Sequence, residues 1–399
     1  MISKAYVFVD GLEAQPVICG VVQHDAEKGF GQFRYGQHYL ARGDAFALDP
    51  LNLPLTDSPI ATATYHGTFG VLNDAGPDSW GKRVILSLHN TQPQNPLEFL
   101  LAGSGMGVGA LTFSLSRSAC KPKYNKNHLS TLPLLYQASH DILKNNTIPP
   151  EAKKLFEYGS SMGGARPKTT LSHQQKQYLV KLNAPSDLYN HVRAEHASMR
   201  MLAELGCTVA NTQVHKTQNG DALLVERFDI ADAQPTHHFI SAHALLNRGV
   251  VNERLLRSHY SYGFIAEWLK AQGSEPLDAQ ELYTRMLFNA LIGNTDDHAR
   301  NHACLYSFQQ QTWRLSPAYD VLPINSSKQH SLGLGEQGRI ANVENLLSQS
   351  VRFGLKNFKA KRMLSQVQEL VAEWPGYFRQ HGVSDGDIAR LEHVIPSLS

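Results

Sequence analysis

Apolar positions recur every second residue in short early runs and every three to four residues in longer later ones, so the chain predicts strands first and helices afterwards. Residues 5–9, 17–23, 31–35 and 45–48 are short β-like runs separated by turns, which predicts a small β-rich module. Residues 72–83 open a helical segment, with Pro77 suited to a first turn and Asp78 to the positively polarised start of a helix. Residues 103–110 carry four glycines but lack G-x-G-x-x-G spacing and run into a strand at 111–114, so they read as a loop-to-strand turn. Residues 121–127 read as a linker or exposed loop.

The second half changes period. Residues 177–182 form a strand with Lys181 on one face, and residues 190–205 form a helix that carries Glu195 and ends at Gly206. Strands follow at 209–215 and 222–225, then helices at 242–246, 262–271, 278–291, 342–347, 357–374 and 385–394. In the helix after Asp278, Leu282, Met286, Ala290 and Leu291 share a face, Asp278 suits the N-cap and Gly293 suits C′. Residues 303–308 and 312–315 pair as a hairpin. The expected fold class is α+β, with three parts: a β-rich module ending in helices at 1–120, a β-rich lobe at 128–229 and a helical lobe at 230–399.

Composition narrows this little. Hydrophobic residues at 42% and charged residues at 18% are ordinary globular usage, and 399 residues suffice for two or three cores. A net charge of +2 exerts no global pull on nucleic acid or membrane. The four cysteines form no C-x-x-C pair, which predicts a reducing compartment. The N-terminus lacks a signal peptide's apolar core and no apolar run approaches ~18 residues, so a cytoplasmic protein without membrane contact is expected.

Candidate chemistry gathers around residues 294–301 (NTDDHARN), which follow the apolar helix and lead through the hairpin to Tyr319-Asp320. Asp296, then the amide of Asn301, then Asp320 supply what phosphoryl transfer needs: a group to take a hydroxyl proton and two oxygen ligands for Mg²⁺. Upstream, residues 159–169 (GSSMGGARPKT) form a glycine-rich loop whose backbone N–H groups can approach a polyphosphate, with Arg166 or Lys168 adding charge. Lys181 on a strand and Glu195 on the next helix follow in the order of an ATP-phosphate lysine and its partner. At 226–229 backbone groups would meet adenine, with Phe228 as an apolar wall. This is the order of a two-lobed protein-kinase-like fold. His298 and His302, four apart, with Asp296 or Asp297, offer a competing zinc-hydrolase reading, but H-E-x-x-H is absent. On the first reading His298 is a loop histidine that holds Asp296 in place.

Jointly, residues 161–168 (SMGGARPK), 179–182 (LVKL), Glu195, 225–229 (VERFD), 294–301 and 319–321 (YDV) resemble the HipA family of serine/threonine kinases, the toxins of bacterial toxin–antitoxin pairs. The resemblance runs from the N-terminal module to at least Pro323. It implies Asp296 as catalytic base assisted by His298, Asn301 and Asp320 as Mg²⁺ ligands, and Lys181 as the phosphate lysine. It places Ser161, Gly163, Gly164, Ala165, Lys168, Glu195, Glu226, Phe228 and Tyr319 around ATP, and makes Ser161 (alternatively Ser160) an autophosphorylation site. It further implies a HipB-like DNA-binding antitoxin, nucleic-acid contact only through that partner, and a protein substrate in translation such as an aminoacyl-tRNA synthetase. The loop departs from better-known members in reading Gly-Gly-Ala-Arg-Pro-Lys, and Asp297 adds a carboxylate beside the base. The rival is an inactive kinase fold serving only as a repressor's partner; keeping Lys181, Asp296, Asn301 and Asp320 together argues against it.

Overall fold

The computed structural model describes residues 2–88, 92–121, 127–157, 164, 166–247, 249, 259–324 and 327–396. An antiparallel five-stranded sheet comes first, from β1 (Lys4–Val9), β2 (Val17–Asp25), β3 (Phe30–Tyr35), β4 (Ile60–Thr62) and β5 (Leu111–Ser114), in the order β4-β3-β2-β1-β5. Ala5, Val7 and Val9 alternate inward on β1 and meet Phe33 and Tyr35 of β3 in the core. Residues 45–48 are not a strand. Phe46 and Leu48 are buried, but their backbone bonds go to tyrosine hydroxyls: Leu48 N–H donates to Tyr35 (2.9 Å), and Tyr39 donates to the Phe46 carbonyl (2.9 Å). Apolar alternation there reflects burial without a neighbouring strand.

The second sheet, in the order β6-β7-β9-β8, comprises β6 (Lys168–His173), β7 (Lys176–Leu182), β8 (Thr212–Thr217) and β9 (Gly220–Glu226). Tyr178, Val180 and Leu182 on one face pack with Leu224 against Leu132 and Tyr136 of the helix Leu132–Leu143. The opposite face, through Leu223 and Val225, joins the core that holds the helix His191–Glu204. Gln174 and Gln175, both at positive φ (48° and 63°), make the two-residue turn that sets Lys168 opposite Lys181. The strand expected from 209 begins at Thr212; Val209 instead makes a single bridge to Ala318.

After the short hairpin β10 (Ile230–Ala231) and β11 (Gln234–Pro235), a third sheet joins β12 (His237–Ser241), β13 (Ala303–Ser307) and β14 (Thr312–Leu315) to a helical body. Its central helix, Pro276–Leu291, starts earlier than expected because Pro276 takes the first turn. Asp278 therefore lies inside the helix and receives Arg314 Nε (2.8 Å) and Leu315 N–H (2.9 Å) instead of capping it. Gly293 at φ +74° ends it as expected. The expected helix 357–374 divides into Asn357–Ala372 and Trp374–Gln380, since Pro375 can occupy only a first turn.

The N-terminal sheet and the helical body share one core. Phe46 stacks on Tyr306 at 4.5 Å, and Asp74 accepts both Ser241 N–H (2.7 Å) and its hydroxyl (2.8 Å). The glycine-rich stretch 103–110 belongs to this seam: buried Arg227 donates to the Met106 and Gly107 carbonyls (both 2.8 Å), while Asp229 accepts Gly109 N–H (2.6 Å). A side chain at Gly107 would strike the Ala75 carbonyl, which explains the glycine. Among the described residues no helix is long and apolar enough to cross a membrane.

Candidate active site

Four elements converge at the junction of the second sheet and the helical body. β7 points Lys181 away from the face that carries Tyr178, Val180 and Leu182, because successive side chains alternate. Its ammonium lies 2.5 Å from Glu195 Oε1, on the helix His191–Glu204, and 2.6 Å from Asp320 Oδ1. Burial alone would lower the Lys181 pKa, but the two carboxylates outweigh it and lift the ammonium to about 12. For Asp320, whose side chain is half-buried, desolvation opposes ionisation, and Lys181 with Lys168 overcomes it, holding the carboxyl well below the usual range. Burial raises the Glu195 carboxyl, partly offset by Lys181.

Asp320 sits at φ +59°, uncommon for a non-glycine residue and a recurrent mark of functional sites. Its Oδ2 takes no hydrogen bond among the described residues. An ionised carboxylate with one open oxygen, together with the amide oxygen that Asn301 offers at the end of the turn Ala299–Asn301, is a hard-oxygen donor set of the kind that fits Mg²⁺. Among the described residues no three His, Cys, Asp or Glu converge as a metal site, and His302 is turned to Asp297, so the zinc arrangement does not form.

The two adjacent aspartates are sorted by environment. Asp297 is buried and accepts from the Tyr262 hydroxyl and from His302 Nε2 (2.9 Å); Asn289 donates to Tyr262 (3.0 Å) and accepts from Asn294 (3.0 Å). Asp296 is exposed and accepts no hydrogen bond among the described residues. Its carboxyl is raised, first by partial desolvation and further by Asp320 and Asp297. The ring of His298, expected to bond to backbone or carboxylate and so hold Asp296 in place, makes no such bond among the described residues: its Nδ1 is buried without a partner there, and its influence on Asp296 is through space. Thr295 ties the loop to the segment beyond Asp320 through Ile324, its hydroxyl donating at 2.7 Å.

Lys168 is not on a loop. It opens β6, is 5% exposed, and its ammonium lies against Gly164, where a Cβ would overlap it. Arg166 is committed to Asp187 in an ion pair. Ser160, Ser161, Gly163 and Ala165 lie outside the described residues. Glu226 gives its carboxylate to Lys176 (2.8 Å) and its N–H to the Asn211 carbonyl (2.8 Å), so neither is open to a base. Phe228 faces Tyr319 at 5.8 Å, and Tyr319 donates to the Arg300 carbonyl (2.8 Å), joining this wall to the acidic loop.

The residues that sequence reasoning missed come from the N-terminal module. Asp78 reaches across to accept Gly164 N–H, Trp80 N–H donates to the Gly164 carbonyl (3.0 Å), and the Trp80 indole donates to the Lys168 carbonyl (2.7 Å). The only signal was Trp80, an apolar residue beside a helix start.

Comparisons with known proteins agree with this fold. The HipA N-terminal domain matches residues 13–114 and the HipA-like C-terminal domain residues 160–374, more than half of the chain. A Haemophilus influenzae protein with a provisional kinase name is 28% identical over 204 residues, 45% of this chain and 56% of its own length. The provisionally named kinase Y4mE of Sinorhizobium fredii is 30% identical over 129 residues, 31% of this chain and 30% of its own. The match thus spans about half or less of these relatives. HipA of Shewanella oneidensis MR-1, solved with HipB and operator DNA, superposes with a TM-score of 0.68 over 97% of this chain and 94% of that one, at 18% identity. With both family domains in order on a kinase-like α+β fold, the chain belongs to the HipA family.

Proposed function

We propose that this protein is an ATP- and Mg²⁺-dependent serine/threonine protein kinase of HipA type, divided at 1–120, 128–229 and 230–399 as its sequence suggests. The observation that carries the reading is Lys181 held between Glu195 and Asp320, with Asp296 exposed nearby. The ammonium has three N–H donors and spends two here, so it can keep Glu195 while turning toward a phosphate. Asp296, which has no hydrogen-bond partner among the described residues, takes the proton of an acceptor hydroxyl as that oxygen bonds to the γ-phosphorus and the bond to the ADP oxygen breaks. Asn301 and Asp320 would hold Mg²⁺, which when bound neutralises charge on the phosphate oxygens. Buried Asp297 keeps the loop in shape through Tyr262 and His302.

The Shewanella oneidensis complex, which contains HipB and operator DNA, supports a HipB-like antitoxin as partner, with DNA contacted through it. A protein of translation, such as an aminoacyl-tRNA synthetase, is the proposed substrate, and Ser161 (alternatively Ser160) the proposed autophosphorylation site. A phosphate there adds about −1.5 to −2 charges and competes with ATP for the loop's backbone donors. To test this, the full chain is incubated with ATP–Mg²⁺ and cell lysate and phosphosites are mapped by mass spectrometry, with Asp296→Asn in parallel. Phosphoserine or phosphothreonine lost in the variant is expected. Nucleotide binding without phosphotransfer to lysate or to itself would overturn the enzyme reading.

A further inference from the structure

Beside the acidic loop, the N-terminal module and the helix Ala242–Leu246 flank a half-open cavity of about 240 Å³ that the reaction above does not use. Asn52, Thr62, Thr64, Tyr65, Phe69 and Asn247 line it. Asn247 is 6% exposed, yet among the described residues its Oδ1 has no hydrogen-bond partner. A buried amide oxygen left unpaired is costly, so this wall presents an acceptor that calls for an N–H or O–H donor.

A second observation is backbone strain on the same wall. Tyr65 and His66, neither of them glycine, sit consecutively at φ +49° and +55°. Such conformations persist only where surrounding contacts enforce them, and they cluster at functional sites. Here the enforced result is the placement of the Tyr65 ring, whose hydroxyl reaches His243 Nδ1 (3.0 Å) and its carbonyl (3.1 Å). Tyr260 also stacks on His243, with centroids 5.1 Å apart.

The cavity wall and the acidic loop are one packed unit. The helix Ala242–Leu246 packs on the turn Ala299–Asn301, and Ala242 N–H donates to the His302 carbonyl (2.8 Å). Arg300, in that turn, is exposed and enters no ion pair among the described residues. The nearby carboxylate of Asp74 is committed to Ser241. Its proximity to the cavity is electrostatic as well: burial first, then Arg300 and His298, hold His243 down to about 3, so the imidazole stays neutral and leaves Arg300 as the cation.

We propose that this cavity and Arg300 form the acceptor-segment site, in which an acidic side chain flanking the phosphoacceptor hydroxyl pairs with Arg300 and a neighbouring side chain donates to Asn247 in the cavity. The inference rests on the kinase reading. An acceptor hydroxyl must come within hydrogen-bond reach of Asp296, and Arg300, four positions along the same loop, is at most about 14 Å away at about 3.3–3.6 Å per residue, within the span of a few residues flanking the acceptor. A cation whose nearby carboxylate, Asp74, is hydrogen-bonded to Ser241 favours an acid in the acceptor segment, and the cavity has room for one side chain.

The test uses the full chain with ATP–Mg²⁺ and a peptide library fixed at a central serine or threonine and degenerate on both sides. The wild type should select Asp or Glu at one flanking position. Arg300→Glu should reverse this toward Lys or Arg, shifting the acidic-to-basic ratio of kcat/KM about tenfold. Asn247→Leu should flatten selection at a different position at least about threefold, with ATP–Mg²⁺ affinity within about twofold in both variants. Identical preferences in all three proteins, with phosphotransfer intact, would mean a water-filled cavity and overturn the inference while the kinase reading stands. Loss of ATP affinity in step with peptide turnover would also overturn it, by relocating the effect to the nucleotide side. No phosphotransfer by the wild type to peptides or lysate would remove the kinase reading itself.

Discussion

Replacing Lys181 with methionine keeps the stem and removes the charge, and two separate consequences follow from its surroundings. The first is stability. The lift of the ammonium to about 12 corresponds to about 2 kcal/mol of folded-state stabilisation, present in full below the unfolded lysine's pKa and lost only as pH rises through about 12. At pH 7 the whole amount is at stake. Removing the cation also strands two carboxylates: Glu195, at 6% exposure, is isolated in the interior, whereas Asp320, at 40%, is screened by water and counts for less. Together these predict a loss of about 2–3 kcal/mol in urea unfolding without nucleotide. Because burial already raises the Glu195 carboxyl, its protonation relieves the variant, so the deficit should shrink as pH falls from 7 toward 5. Adding Glu195→Gln should recover roughly half. The second consequence concerns ATP: a charge-assisted bond worth about 1.5–3 kcal/mol is lost, so ATP affinity should fall about 10–150-fold, with adenosine changed less than about threefold. A variant within about 0.5 kcal/mol of wild type, a pH-independent deficit, or equal losses of ATP and adenosine would refute this reasoning.

Asp296→Asn should cut phosphotransfer by about 10²–10⁴-fold with ATP affinity unchanged. Since the Asp296 carboxyl is raised and a base must be ionised, wild-type rates should decline as pH falls through a value above the ordinary aspartate range of about 3.9; an acid limb at or below that would contradict the assignment. Asp297→Asn should instead cost about 2–4 kcal/mol of stability, because its amide would confront Tyr262 and His302, while Asp296→Asn leaves stability within about 0.5 kcal/mol; equal effects in thermal unfolding would mean that the two aspartates are not sorted as described. Asp78→Ala and Trp80→Phe should each lower stability by about 1–2 kcal/mol through lost bonds to Gly164 and Lys168, and an unchanged melting temperature would show the clamp to be incidental.

Much of this protein was legible in its sequence because it depends on local periodicity. The alternation of Tyr178, Val180 and Leu182 places Lys181 on the opposite face without any reference to the rest of the chain, and Gly293 ends the helix before the acidic loop by its own conformational freedom. The order of Lys181, Glu195, Asp296, Asn301 and Asp320 was likewise visible. Tertiary structure decided what depends on distant partners. Asp296 and Asp297 are chemically identical neighbours, and Tyr262, folding in from a helix 35 positions away, joins His302 at the end of the same loop to hold one inward and leave the other open. Phe46 and Leu48 read as a strand because burial and strand pairing leave the same apolar trace, and only the tyrosine hydroxyls above them show that no strand lies alongside. Asp78 looked like a helix start, yet its carboxylate serves Gly164, a partner 86 positions away that local pattern cannot register.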